Sequence, residues 1–130
     1  MAKNKRIIQR ISRYYRQHGG AALAAVGMRR AIWSIYFYFC RFINVNNVRS
    51  AYGPRFRKNY SDVTFRFYIT GAYDFHLART IQCISESFVF IDVGANQGLY
   101  SILAAKNPKC EHVIAFEPVP QTWQRLRETS

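Results

Sequence analysis

The feature that most constrains this chain is a pair of apolar runs separated by a glycine-containing stretch of fixed length. Phe88-Val89-Phe90-Ile91 is uninterrupted and built of β-branched and aromatic residues, as expected of a central parallel strand covered on both faces. It stops at Asp92. The chain then reads Val93-Gly94-Ala95-Asn96-Gln97-Gly98, enters a stretch with Leu99, Ile102 and Leu103 on one helical face, and breaks at Asn107-Pro108. A second apolar run, Val113 to Phe116, ends at Glu117-Pro118. Pro120 then suits the first position of a new helix, where its missing N–H costs nothing, with Trp123 and Leu126 as an inward face. The 18 residues from Gly94 to Glu111 allow a helix to return the chain to a parallel neighbour, and such crossovers are right-handed. The fold expected is α/β, the first half of an open, Rossmann-like nucleotide-binding sheet.

The turn after the first strand carries the chemistry. Gly94 lets the backbone bend sharply off the strand, and Gly98 removes a side chain where a ligand would approach the helix N-terminus. Free amides there attract an anionic group. Glu117, 23 positions after Gly94, stands at the end of the neighbouring strand, where a carboxylate can accept hydrogen bonds from both hydroxyls of a ribose. The dinucleotide fingerprint G-x-G-x-x-G needs a glycine where this chain has Asn96, so a pyrophosphate, and with it NAD, fits poorly. Asp92 welcomes an ammonium or another cation. An amino acid joined to adenosine meets both demands, with its ammonium near Asp92 and its carboxylate near the amides of Gly94 to Gly98. S-adenosylmethionine is such a molecule.

The string Phe88-Val-Phe-Ile-Asp-Val-Gly-Ala-Asn-Gln-Gly-Leu-Tyr-Ser101, followed by Val113-Ile-Ala-Phe-Glu-Pro-Val-Pro120, resembles the start of the FkbM family of S-adenosylmethionine-dependent methyltransferases. Gly71-Ala-Tyr73-Asp74 is similar to the lead-in of that family, where a Glu often stands at the position of Asp74. The resemblance runs from Gly71 to Leu126, under half of the chain. It implies a class I methyltransferase sheet with Asp92, Gly94, Ala95, Asn96, Gly98 and Glu117 lining the cofactor site, and Tyr100 and Pro118 as weaker members. It further implies methyl transfer, without a metal, to an oxygen of a small molecule, sugar or glycolipid; no residue is assigned as a base. Asn96 also suits an N-cap for the helix that follows. The family's sheet has seven strands, whereas here about one helix follows Glu117, so a truncated domain is expected. Two parallel strands alone leave an unpaired edge.

The rest of the chain differs in charge. Residues 1–60 hold 13 Lys and Arg and no acidic residue, while 61–130 hold 6 against 7, giving +13 and −1. The expected division is therefore a basic helical region over 1–60 and a partial methyltransferase domain over 61–130. Such a charge points to an anionic partner, and the alternative function is a non-catalytic basic module binding RNA or an anionic membrane surface. Ile7, Ile11, Tyr14 and Tyr15 share one helical face and Arg6, Arg10 and Arg13 another, so residues 3–16 read as an amphipathic helix suited to peripheral membrane contact or to packing. Gly19-Gly20 punctuates, and a second helical stretch from Ala21 to about Ile43 carries Trp33, Tyr36, Phe37 and Phe39 toward a core. The most apolar run, Ala31 to Cys40, has only 10 residues, against the ~20 that a spanning helix needs.

Between Arg49 and Tyr60 cations alternate with aromatics, as in single-strand nucleic-acid grips and also in ordinary basic loops. Val63, Phe65, Phe67 and Ile69 alternate with Thr64, Arg66 and Tyr68, a period of two that predicts a half-buried strand ending at Thr70-Gly71. From Asp74 as N-cap, Leu77, Ala78, Ile81 and Ile84 follow helical spacing up to Ser85-Glu86-Ser87. Trp123 is expected in the core. Cys40, Cys83 and Cys110 are odd in number and lack a C-x-x-C, which fits a reducing compartment and a cytoplasmic location. His18, His76 and His112 have no ligand spacing.

Overall fold

A computed structural model describes the backbone of residues 2–129 and the side chains of residues 19–21 and 24–129. The elements in chain order are α1 (Ala2–Phe42), β1 (Asn47–Arg49), β2 (Arg55–Arg57), α2 (Val63–Thr70), α3 (Phe75–Cys83), β3 (Phe88–Val93), α4 (Leu99–Ala105), β4 (Cys110–Phe116) and α5 (Pro120–Glu128). Two compact units emerge, Met1–Ile32 and Trp33–Ser130. In the first, α1 is interrupted at Gly19, whose φ of 78° and ψ of 168° lie outside the helical region, so the glycine pair does punctuate. The amphipathic pattern over 3–16 lies outside the described side chains. Among the described residues no helix is long and apolar enough to cross a membrane.

The second unit takes in residues assigned above to the basic region. Phe37, Cys40, Val48 and Phe56 share one buried cluster with Phe65, Tyr68, Ile69, Ala78, Ile81, Leu99, Leu103 and Ala104. The division therefore falls near Ile32 rather than Tyr60, because packing follows the aromatic side chains and not the charge count. Phe37 meets Tyr60 and Phe65 at ring-centroid distances of 5.8 and 6.2 Å, and Tyr60 meets Phe65 edge-on at 5.6 Å, separations at which aromatic pairs attract beyond their buried area. Phe39, expected to be buried, is on the outer side of α1 and 57% exposed.

The basic segment after α1 is an antiparallel hairpin rather than a loop. Its register pairs Asn47 with Arg57, Val48 with Phe56 and Arg49 with Arg55. Val48 and Phe56 point into the core and the arginines point out. Ser50 N–H donates to Pro54 O (2.8 Å) and Gly53 N–H to Ser50 O (3.0 Å), which closes the turn.

Residues 63–70 form a helix, not the half-buried strand that their alternation predicts. The reason lies at the ends. The Asp62 carboxylate accepts from Thr64 N–H (2.6 Å) and Phe65 N–H (3.3 Å), an N-cap worth about 1 kcal/mol. Gly71 closes the other end in a left-handed conformation (φ 71°) with its N–H on Phe67 O. The residues this helix buries, Phe65, Tyr68 and Ile69, are spaced i, i+3, i+4. The alternation was real but Val63 is 61% exposed, so only half of it faces the core.

Helix α3 starts where expected, with the Asp74 carboxylate accepting from Leu77 N–H (3.2 Å) and with Ala78 and Ile81 buried. Strands β3 and β4 pair in parallel, from Phe88 opposite Cys110 to Val93 opposite Phe116, with α4 as the crossover packed on both strands and on α3. Asn107 fastens this junction: its Nδ2 donates to Ile81 O (2.8 Å) and Ile84 O (3.0 Å), and its Oδ1 accepts from Lys109 N–H (2.9 Å). The expectation of a strand covered on both faces is not met. Val89, Ile91 and Val93 of β3 are 49%, 59% and 82% exposed, and Ile114 and Phe116 of β4 are exposed beside them. Trp123, expected in the core, is 43% exposed on α5, with the Arg127 guanidinium 4.9 Å from its ring centroid.

Candidate functional site

The carboxyl ends of β3 and β4 stand side by side, and the residues singled out from the sequence gather there. Gly94 and Ala95 leave β3 with both N–H groups donating to Phe116 O, at 2.9 and 3.0 Å. Asn96 takes a left-handed conformation (φ 52°), which costs a non-glycine residue about 1 kcal/mol. What holds it is Glu117. The Asn96 N–H donates to Glu117 Oε2 (2.8 Å) and the Val119 N–H to Oε1 (2.9 Å), so one carboxylate ties the turn after β3 to the turn after β4. Gly98 N–H donates to Ala95 O (2.8 Å).

These bonds revise the picture of a free amide cradle. The N–H groups of Gly94, Ala95, Asn96 and Gly98 are all engaged within the protein, because the turn must satisfy its own backbone. Asn96 does not cap α4 with its side chain; Gly98 is the N-cap and no side chain bonds there.

The two glycines have different reasons to be glycine. Gly98 has φ 84°, and a Cβ there would lie 2.3 Å from Leu126 Cδ1. Its bare face admits α5, where the sequence reading had placed a ligand. A Cβ on Gly94 (φ 80°) would meet nothing within 4 Å, so the space beside the strand tip is open.

Asp92 is 9% exposed and its Oδ2 accepts from Ser101 Oγ at 2.6 Å. Ser101, one turn into α4 on an otherwise apolar face, was not singled out; a lone hydroxyl there was the available signal. Around this pair lies an aromatic chain in which Tyr100, expected at the cofactor site, joins Tyr73 and Tyr68. Tyr68 meets Tyr73 edge-on at 5.0 Å, Tyr73 meets Tyr100 at 5.9 Å, and the Tyr52 hydroxyl donates to Tyr73 O. Burial pushes the Tyr100 phenol well above its ordinary range, and the nearby Asp74 carboxylate, Tyr73, Tyr52 and Asp92 push it further the same way. Tyr68 is raised in the same manner, first by burial and then by Tyr73, Tyr100, Asp92 and Asp62. Carboxylates and phenols so arranged disfavour any further negative charge and favour a cation.

Gln97 is 1% exposed, and its Nε2 is buried without a hydrogen-bond partner among the described residues, as is Asn96 Oδ1. Unpaired buried polar atoms are rare and costly. Both sit in the turn beside Gly94. Pro118 is exposed after Glu117. Among the described residues no group of three or more His, Cys, Asp or Glu is placed to hold a metal ion. No family model, no curated protein and no solved structure matches this chain.

Proposed function

We propose that the β3–α4–β4 unit is the cofactor half of an S-adenosylmethionine-dependent methyltransferase of the FkbM type, on a Rossmann-like sheet, acting on an oxygen of a small molecule, sugar or glycolipid. The observation that carries the reading is the convergence of Asp92, open-faced Gly94 and Glu117 at the adjacent carboxyl ends of two parallel strands, the position at which open α/β sheets bind ligands.

The residues fit the group in four respects. Open space beside Gly94 takes a ligand atom without a clash. In the same turn the buried Asn96 Oδ1 and Gln97 Nε2 lack partners among the described residues, one acceptor and one donor that a small shift of the turn would offer to a ligand. The Tyr73, Tyr100, Asp74 and Asp92 grouping suits a cationic ligand, through phenol faces and carboxylates together. Glu117 keeps lone pairs beyond the two its backbone donors use, since an ionised carboxylate accepts about four bonds. Those remaining positions suit two ribose hydroxyls. The engaged amides contribute less, so side chains and not the turn backbone supply the polar contacts.

When bound, S-adenosylmethionine supplies a methyl group already activated by its sulfonium. The chain's own residues then have to bind and orient, which is where positioning contributes to rate. Asp92, fixed by Ser101, and Glu117, fixed by two amides, are held without side-chain freedom to lose on binding.

The test is calorimetry of the full chain with S-adenosylmethionine, with NAD as comparison and circular dichroism as the folding control. Saturable binding of the methionine compound and not NAD is expected. A folded chain that binds neither overturns the reading.

A further inference from the structure

The C-terminal part of α1, within the second unit, carries an apolar face that the core does not use. At 100° per residue, buried Phe37 and Cys40 and half-buried Trp33 and Tyr36 point one way. Ile35, Tyr38, Phe39 and Phe42 point the other, exposed by 70%, 54%, 57% and 88%. Such a stripe on a monomer surface marks a contact site.

The charges beside it say what kind. Within residues 33–61 the chain has Arg41, Arg49, Arg55, Arg57 and Lys58 and no carboxylate. Arg41 sits on α1 beside the stripe. On the stripe's other side, the Arg49 backbone N–H donates to the Tyr36 hydroxyl (3.4 Å), which sets the hairpin along that edge of α1; burial and then Cys40 push the Tyr36 phenol up, and Arg55 opposes them only slightly. Arg49 and Arg55 are direct cross-strand partners in the hairpin, an arrangement of like charges that is unfavourable by itself. Arg57 is paired with Glu128; among the described residues Arg49 and Arg55 form no ion pair.

We propose that this face docks on an anionic lipid bilayer, with Ile35, Phe39 and Phe42 entering the acyl boundary and Arg41, Arg49 and Arg55 meeting lipid phosphates. An interfacial helix combines these features: an apolar face, cationic flanks and too little apolar length to span. A second copy is the poorer occupant, since stacking two such faces brings two carboxylate-free basic segments together. Nucleic acid would engage the arginines and leave Ile35 and Phe42 in water. The surface is separate from the β3–β4 turn and does not rest on the methyl-transfer reading.

The experiment is co-sedimentation of the full chain with vesicles of phosphatidylcholine alone and with about 30% phosphatidylglycerol, in low and high salt. Binding to the anionic vesicles, weakened by salt, is expected, with a loss of about tenfold for Phe42→Ser and more for Phe39→Ser with Phe42→Ser. These side chains are outside the core, so circular dichroism should not change. Arg49→Gln with Arg55→Gln should weaken binding to anionic vesicles at low salt and leave the small affinity for neutral ones. Three results each overturn the proposal: no vesicle binding, binding that the Phe39 and Phe42 variants retain, or a dimer in ultracentrifugation that those variants dissociate. Tighter binding to an oligonucleotide than to the anionic vesicles, insensitive to Phe42→Ser, also overturns it.

Discussion

Gly98→Ala is the substitution whose effect follows most directly from the geometry. Two costs arise. Alanine at φ 84° loses about 1 kcal/mol relative to glycine in a left-handed conformation. The new Cβ would also lie 2.3 Å from Leu126 Cδ1, more than an ångström inside contact, while its next neighbours, Ile102 Cδ1 and Leu126 Cγ, are at an ordinary 3.8 Å. The offending atom ends a rotatable side chain, so relief by moving Leu126 off its rotamer costs about 1 kcal/mol. The variant should lose about 2 kcal/mol in urea unfolding followed by circular dichroism. Leu126→Ala alone should lose about 1 to 2 kcal/mol, since that leucine is only half-buried. The double variant should lose less than the two together by about 1 kcal/mol, because removing Leu126 removes the clash and leaves only the backbone cost. Additivity within about 0.5 kcal/mol would refute the reasoning, and would mean that α5 does not pack on this glycine.

Other outcomes follow from the same site. Gly94→Ala should lose only about 1 kcal/mol of stability, its backbone cost, yet weaken S-adenosylmethionine in calorimetry; equal affinity would show that no ligand uses that space. Glu117→Ala should weaken the cofactor by about 1 to 3 kcal/mol and also lower stability, since Asn96 N–H and Val119 N–H lose a charged acceptor; unchanged values of both would sink the assignment. Ser101→Ala should leave Asp92 buried with one bond fewer and cost about 1 to 3 kcal/mol in unfolding; a neutral effect would count against the pair. The Tyr60 phenol, hydrogen-bonded to Cys40 O and Val45 O, is pushed up to about 12, chiefly by burial and then by Cys40 and Tyr36. The unfolded chain releases that proton near pH 10 and the folded chain holds it, so stability should fall as pH rises from about 10 to about 12. Tyr60→Phe should flatten that fall in urea midpoints, and an unchanged slope would refute it.

How much was legible depended on whether the signal was local. The β3–α4–β4 unit could be read because each part announces itself: apolar runs, a breaker at Asn107-Pro108, Gly94 and Gly98 at positive φ. The α2 helix was misread because its alternation and its caps pointed to different structures. Asp62 eight residues before Thr70, and Gly71 just after it, were visible as a helix's two caps. The hairpin was legible in hindsight from two polar–apolar–polar triplets, Asn47-Val48-Arg49 and Arg55-Phe56-Arg57, flanking Gly53-Pro54. The Asp92–Ser101 bond and the Tyr68–Tyr73–Tyr100 chain were not legible, since they join α2, its following turn, β3 and α4 through tertiary packing alone.

The turn after β3 shows why a motif read by backbone logic needs the hydrogen-bond accounting. A glycine-containing turn at a helix N-terminus invites an anion only while its amides are free. Here Phe116 O, Glu117 and Ala95 O take four of them, and α4 has only seven residues from which to build a dipole. Discrimination then falls to side chains held in place by hydrogen bonds, Asp92 by Ser101 and Glu117 by two amides, beside phenols that stay neutral far above neutral pH. On the proposed methyl-transfer reading, such a site would favour positive charge near Asp92 and neutral hydroxyls near Glu117. A ligand bearing phosphate at either place would confront a fixed carboxylate, so a phosphorylated nucleoside should bind far more weakly than its unphosphorylated counterpart. Calorimetry with adenosine and with its 2′- and 3′-phosphates measures that difference at the Glu117 end alone, and equal affinities would remove Glu117 from the ribose.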